Sequence, residues 1–198
     1  MRAAPLCLAA LLLACTTLPA AAGGDDADGG RRALREMQIH QVAALGLEIW
    51  VENQPAWETQ VSARSGHPTF YAQSPQDYVP PAVMSFAAFP KERVDQKSMQ
   101  AMATRAIKQA SLNFGLTPAQ SGSILALKAE YGVLSGYEAT FAGMADGVPM
   151  DVTVFVGQQP GKFPVALSIY TIRGKINALA EQRRRAWTKI RYLPPASR

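Results

Sequence analysis

Cysteine is nearly absent from this chain. The two present, Cys7 and Cys15, both fall in the first fifteen of 198 residues. No disulfide framework and no cysteine-based metal site can therefore form in the body of the protein. Histidine is as scarce, with His40 and His67 alone. HExxH, GxSxG and CxxC patterns are missing, which removes the usual signatures of zinc hydrolases, serine hydrolases and thiol redox enzymes. The one long apolar run, residues 3–14, is too short to span a bilayer. Heptads and longer internal repeats are absent too, so fibrous and solenoid architectures are excluded. Charged residues make up 18% against 48% apolar, the reverse of what disorder requires.

What is present begins with an export pattern: Arg2, the apolar stretch, then small residues. Two processing readings stand. Ala20-Ala21-Ala22 fits cleavage of a signal peptide spanning residues 1–22. Leu12-Leu13-Ala14-Cys15 resembles a bacterial lipoprotein box, in which cleavage before Cys15 leaves that cysteine to carry lipid. Residues 23–30 (GGDDADGG) have the composition of a flexible acidic linker. Residues 31–193 then read as a single domain and 194–198 as a tail. The expected location is the periplasm, or the periplasmic side of the outer membrane for a lipoprotein.

Hydrophobic period organises the domain. Residues 31–43 read as a short helix or an extended lead-in. Leu45, Leu47, Ile49 and Val51 alternate with Gly46, Glu48, Trp50 and Glu52, the period of a half-buried strand. Residues 59–63 read as a strand returning onto it, and residues 69–72 as another. Three prolines in residues 74–81 make that segment a loop, and residues 83–89 resume as strand. A helix follows, capped by Asp95, striped by Met99, Met102, Ala103, Ala106, Ile107, Ala110 and Phe114, and ended by Gly115. Strands are expected at 124–131, with Gly132 and Gly136 bracketing a turn, then at 137–145, from 148, and at 163–172. Asp146-Gly147 predicts a tight hairpin turn. A final helix over 175–191 stops before Pro194-Pro195. Runs of strands separated from helices give an α+β fold, a curved antiparallel sheet with two main helices packed on it.

The second half resembles the PsbP-like/DcrB-like fold family of lumenal and envelope proteins. The matching residues are Gly136-Tyr137-Glu138-Ala139-Thr140-Phe141, Asp146-Gly147-Val148, Val152-Thr153-Val154-Phe155-Val156 and Trp187-Thr188-Lys189-Ile190, with Pro55-x-Trp57 near the start. The resemblance implies a curved sheet flanked by helices, and binding or assembly roles more often than catalysis.

No catalytic, cofactor or metal residue is expected, and no cofactor. Residues 157–163 have a glycine and lysine spacing superficially like a phosphate loop, but no Ser/Thr follows the lysine and a strand stands where a helix is needed. His67 sits in a turn, and a hydrolytic site built on it with Asp77 is the weakest reading. Asp146 and Asp151 are explained by turn chemistry and strand alternation. Charge is more informative: residues 173–198 hold eight basic residues and one acidic, so the chain's +5 comes from this end. Arg183, Arg184, Arg185 and Lys189 are the candidate contacts for a protein partner, anionic lipid or cell-wall polymer. Trp57, Tyr71 and Tyr78 form a second candidate patch if exposed together. Nucleic acid is not expected as a partner. The function read from the sequence is a non-enzymatic envelope binding or accessory protein, with a toxin-immunity protein as the alternative.

Overall fold

The computed structural model describes residues 37–63 and 67–194. The leader, Cys15, the acidic linker and the tail beyond residue 194 lie outside them. The expectation of a helix or extended lead-in resolves, where described, into strand β1 (Met37–Val42). It pairs antiparallel with β2 (Leu47–Glu52). The inward residues Leu45, Leu47, Ile49 and Val51 are all at most 2% exposed, as their alternation requires.

β3 (Glu58–Ser62) pairs with β4 (Thr69–Gln73) and not with β2, which corrects the expected return onto that strand. The chain crosses here from a small sheet to a large one. β5 (Ala82–Ala88) follows, then α1 (Gln96–Asn113), with the Asp95 side chain accepting from the Ser98 backbone N–H at 2.7 Å. A short helix α2 (Pro118–Gly122) occupies the start of a stretch read as loop and strand. Its capping box, Thr117 with Gln120, satisfies the first backbone donors. The strand after it, β6, is limited to Leu127–Tyr131.

β7 (Leu134–Ala145) and β8 (Val148–Gln158) form the long hairpin predicted at Asp146-Gly147. Both turn residues have positive φ, 49° and 79°, the conformation such a turn needs. Gly136 lies inside β7 and not at a turn: a Cβ there would meet the Val156 carbonyl oxygen at 2.1 Å. β9 (Val165–Ile172) completes the meander. The last helix is shorter than its pattern suggested. A 3-10 turn over Ile176–Leu179 leads into α3 (Ala180–Thr188), and β10 (Arg191–Tyr192) then joins β2.

The fold is α+β. A seven-stranded antiparallel sheet runs in the order β3-β4-β5-β9-β8-β7-β6, with a three-stranded sheet β1-β2-β10 beside it. Two apolar clusters follow from the two faces. On one, α3 and the small sheet bury Phe86, Phe155, Leu167, Ile169, Trp187 and Ile190. On the other, Ala103 and Ile107 of α1 pack on Phe141, Val152, Val154 and Val156. β8 is therefore apolar on both sides, which explains why Val152–Val156 reads as a nearly continuous hydrophobic run.

Candidate functional site

The three adjacent arginines of α3 do not share a surface. Successive helix positions are about 100° apart, and the helix lies close against β2 and β6. Arg184 alone points outward, pairing with Glu181 at 2.8 Å. That pairing holds the Glu181 carboxyl below its usual range. Arg183 turns inward, donating to Thr153 Oγ1 at 3.1 Å, with its guanidinium 5.7 Å from the Trp187 ring centroid. Glu138, 3.8 Å from Arg183, accepts from the Tyr131 hydroxyl. Burial first, and then that hydrogen bond, push the Tyr131 hydroxyl well above its ordinary pKa. Lys189 caps α3 and lies over the Trp50 ring at 4.7 Å.

Arg185 also turns inward, to Glu52 at 3.5 Å. Glu52 is only 4% exposed, although strand alternation placed it on the solvent side. The reason is that Arg185 of α3 and Tyr78 of the proline-rich loop close on its carboxylate, tertiary contacts the local pattern does not encode. The other carboxylate oxygen accepts from the Tyr78 hydroxyl at 2.9 Å. One buried carboxylate thus ties together β2, α3 and the proline-rich loop. A charge so placed is tolerable only with partners of this kind.

That tie organises the best candidate site. The loop over residues 74–81 is closed at its root by Ser74, whose hydroxyl accepts from the Ala82 N–H at 2.9 Å. Tyr78 turns in, and its ring meets Trp57 edge-on at 5.3 Å. Both aromatics are buried, while Tyr71 stands half-buried on β4, on the face that carries α1. The condition for a patch of Trp57, Tyr71 and Tyr78, exposure together, is not met: they are split between core and sheet surface. In its place Val79, 89% exposed, forms the lip of an open cleft of about 350 Å³. Pro55, Asp77, Tyr78, Pro80, Ala178 and Gln182 complete its wall. Gln182 Oε1 and Trp57 Nε1 are buried without a hydrogen-bond partner. Such atoms are uncommon in folded proteins and mark places where bonding capacity is unspent.

The remaining sequence candidates do not assemble. His67 and Asp77 flank opposite ends of β4, a strand about 16 Å long at the usual rise. His40 lies against Phe70 at 5.2 Å, and partial burial lowers its pKa. Asp151 accepts from the Gly174 N–H at 2.6 Å and pairs with Arg173, while Asp146 sits in the hairpin turn. Among the described residues no three His, Cys, Asp or Glu side chains gather as a metal site would require. Nor is any described helix long and apolar enough to cross a membrane. Sequence reading missed Gln182 and Glu52, and only the proline density of residues 74–81 hinted at the cleft.

No family model and no curated protein sequence matches the chain. Among solved structures it is similar to a protein of Bacteroides thetaiotaomicron, with 9% identity and a TM-score of 0.49 over 78% of this chain. The match covers 47% of that protein, so this chain spans about half its length. It is also similar to LpqN of Mycobacterium tuberculosis, which is involved in cell envelope biogenesis. There the identity is 15% and the TM-score 0.45, over 75% of this chain and 83% of LpqN.

Proposed function

We propose that this chain is an exported, non-enzymatic accessory protein of the bacterial cell envelope that binds another macromolecule through the cleft under residues 74–81. The observation that carries the reading is the pinned loop: Tyr78 and Glu52 hold a hydrophobic lip, Val79, in water beside an open cleft. A pre-ordered loop binds without the entropy loss of ordering it. The N-terminal export pattern supplies the location, and the PsbP-like/DcrB-like resemblance suits such a role. Arg184 and Lys189 are secondary contacts in this reading, because Arg183 and Arg185 are engaged within the fold.

The test is a photo-crosslinking residue placed at Val79 in living cells, with Leu125, 73% exposed and outside the cleft, as the control position. A discrete envelope protein should be captured from Val79 and not from Leu125. Residence in the cytosol with residues 1–22 intact, or turnover of a substrate by the purified chain, would refute the proposal.

A further inference from the structure

Beyond the cleft, we infer that the outer edge of β6 is a self-association surface, where a second copy of this chain adds its own β6 antiparallel about a two-fold axis through Ala129. β6 ends the seven-stranded sheet and hydrogen-bonds on one side only, to β7. The two strands join through a two-residue turn, Gly132-Val133, with Gly132 at a φ of 59°. In such a hairpin the residues flanking the turn, Tyr131 and Leu134, exchange main-chain hydrogen bonds, and bonded pairs then alternate along the ladder. Leu127, Ala129 and Tyr131 therefore spend their N–H and C=O groups on β7. Lys128 and Glu130 present theirs to the open edge, and both residues are exposed.

That edge is complementary to itself. Antiparallel pairing about Ala129 sets Lys128 opposite Glu130 of the second copy and, by symmetry, Glu130 opposite its Lys128. Each such pair exchanges two main-chain hydrogen bonds and joins opposite charges. A register shifted by two residues sets Lys128 against Lys128 or Glu130 against Glu130, so charge selects the register. On the other face Leu127, 61% exposed, comes beside the second copy's Tyr131, whose ring is already buried in the larger core cluster. Leu125 and Val133, both exposed, lie just beyond opposite ends of the strand, and the two-fold brings each toward the other in the second copy. Charged side chains on an edge ordinarily discourage strand addition. Here they disfavour a foreign strand without matching charges and accept this one. The edges at β3 and β1 lack that complementarity: β3 carries a single charged residue, Glu58, and β1 has no acidic or basic side chain but His40.

The experiment is sedimentation velocity of the full chain over a concentration series, with amide exchange followed by NMR at the lowest and highest concentrations. Two five-residue strands bury less than the ~1,200 Å² of a standard complex, so dimers are expected to form between about 10 µM and about 1 mM. Dimerisation should slow exchange at the Lys128 and Glu130 amides, which face solvent in the monomer, and leave those of Leu127, Ala129 and Tyr131 as slow as before. Lys128→Glu and Glu130→Lys should each weaken self-association roughly tenfold or more, because two attractions become two repulsions. Circular dichroism checks that the fold survives these exposed changes. An equimolar mixture of the two single variants should dimerise again, since every acidic position then meets a basic one, and so should the double variant carrying both swaps. A chain that stays monomeric throughout, single variants that associate like wild type, or a mixture that fails to dimerise would each overturn the inference. So would species that grow past the dimer, which mark head-to-tail pairing of β6 with β3. None of the cleft's lining residues lies in β6, so failure here leaves the cleft reading intact, while a crosslinker at Leu125 should capture this chain and no other protein.

Discussion

The two main helices pack by different physics. α1 lies on β7 and β8 through an apolar stripe, with Arg105 and Gln109 exposed and Ser111 buried against Ser121 of α2. α3 is half as long and carries three consecutive arginines, yet it contributes Trp187 and Ala186, at most 1% exposed, to the larger core cluster. It does so by turning two guanidiniums inward, onto Glu52 and onto the Glu138–Thr153–Trp187 group. An amphipathic pattern announces the first kind of packing. The second depends on partners far away in the chain, such as Glu52, 133 residues from Arg185. A basic run is therefore not in itself a solvated face.

Substitutions can sharpen this contrast. The largest losses are expected at the apolar anchors: about 3–5 kcal/mol for Trp187→Ala and about 2–5 kcal/mol for Ile107→Ala, read by chemical denaturation. If Trp187→Ala were nearly neutral, α3 would be held by its ion pairs and not by its ring. Next comes Arg185→Met, which leaves Glu52 buried with a partner lost. The expected loss is near the low end of about 3–5 kcal/mol, because Arg185 keeps 16% exposure. The double variant Glu52→Leu with Arg185→Met should recover part of it, since no charge is then stranded, although the Tyr78 hydroxyl loses its Glu52 acceptor. No equivalent rescue exists on α1.

Smaller effects separate the helix ends. Asp95→Ala should lower Tm by less than Ile107→Ala does, and the difference should depend on pH. The Ser98 hydroxyl and N–H hold the Asp95 carboxyl below its usual range. Its contribution is thus full above the ordinary carboxyl pKa of about 3.9 and fades as pH falls through the lower folded value. An acid titration of wild type against Asp95→Ala measures it. Smallest of all is Arg184→Ala on the exposed face of α3, where no detectable change in Tm is expected by calorimetry.

The sequence disclosed those parts of the fold that rest on local chemistry. Asp95, Asp146-Gly147 and the alternation from Leu45 to Val51 each placed an element correctly, because caps, turns and strand faces are decided by near neighbours. The pairing of β3 with β4 was not legible, since a strand's partner is chosen by the whole sheet. The arginine run misled for a related reason: helix geometry says that three neighbours diverge, but not which of them finds a carboxylate. Whether Trp57 and Tyr78 were core or surface was open in the sequence, because the carboxylate that draws Tyr78 inward lies 26 residues before it. The cleft was hidden because it forms where segments distant in sequence meet.

The join between β5 and β9 has a kinetic consequence. Ser85 and Ser168 touch across it at 2.6 Å although 83 residues separate them. To one side, β3–β4–β5 is built from neighbouring hairpins; to the other, β6–β9 is as well. Short-range hairpins close quickly, while a long loop must be drawn together before its contacts give any return. Each half should therefore assemble as its own module, with the central zipper closing late. A backbone nicked in the exposed segment between β5 and α1 would then yield two pieces able to reconstitute the sheet by edge-to-edge association.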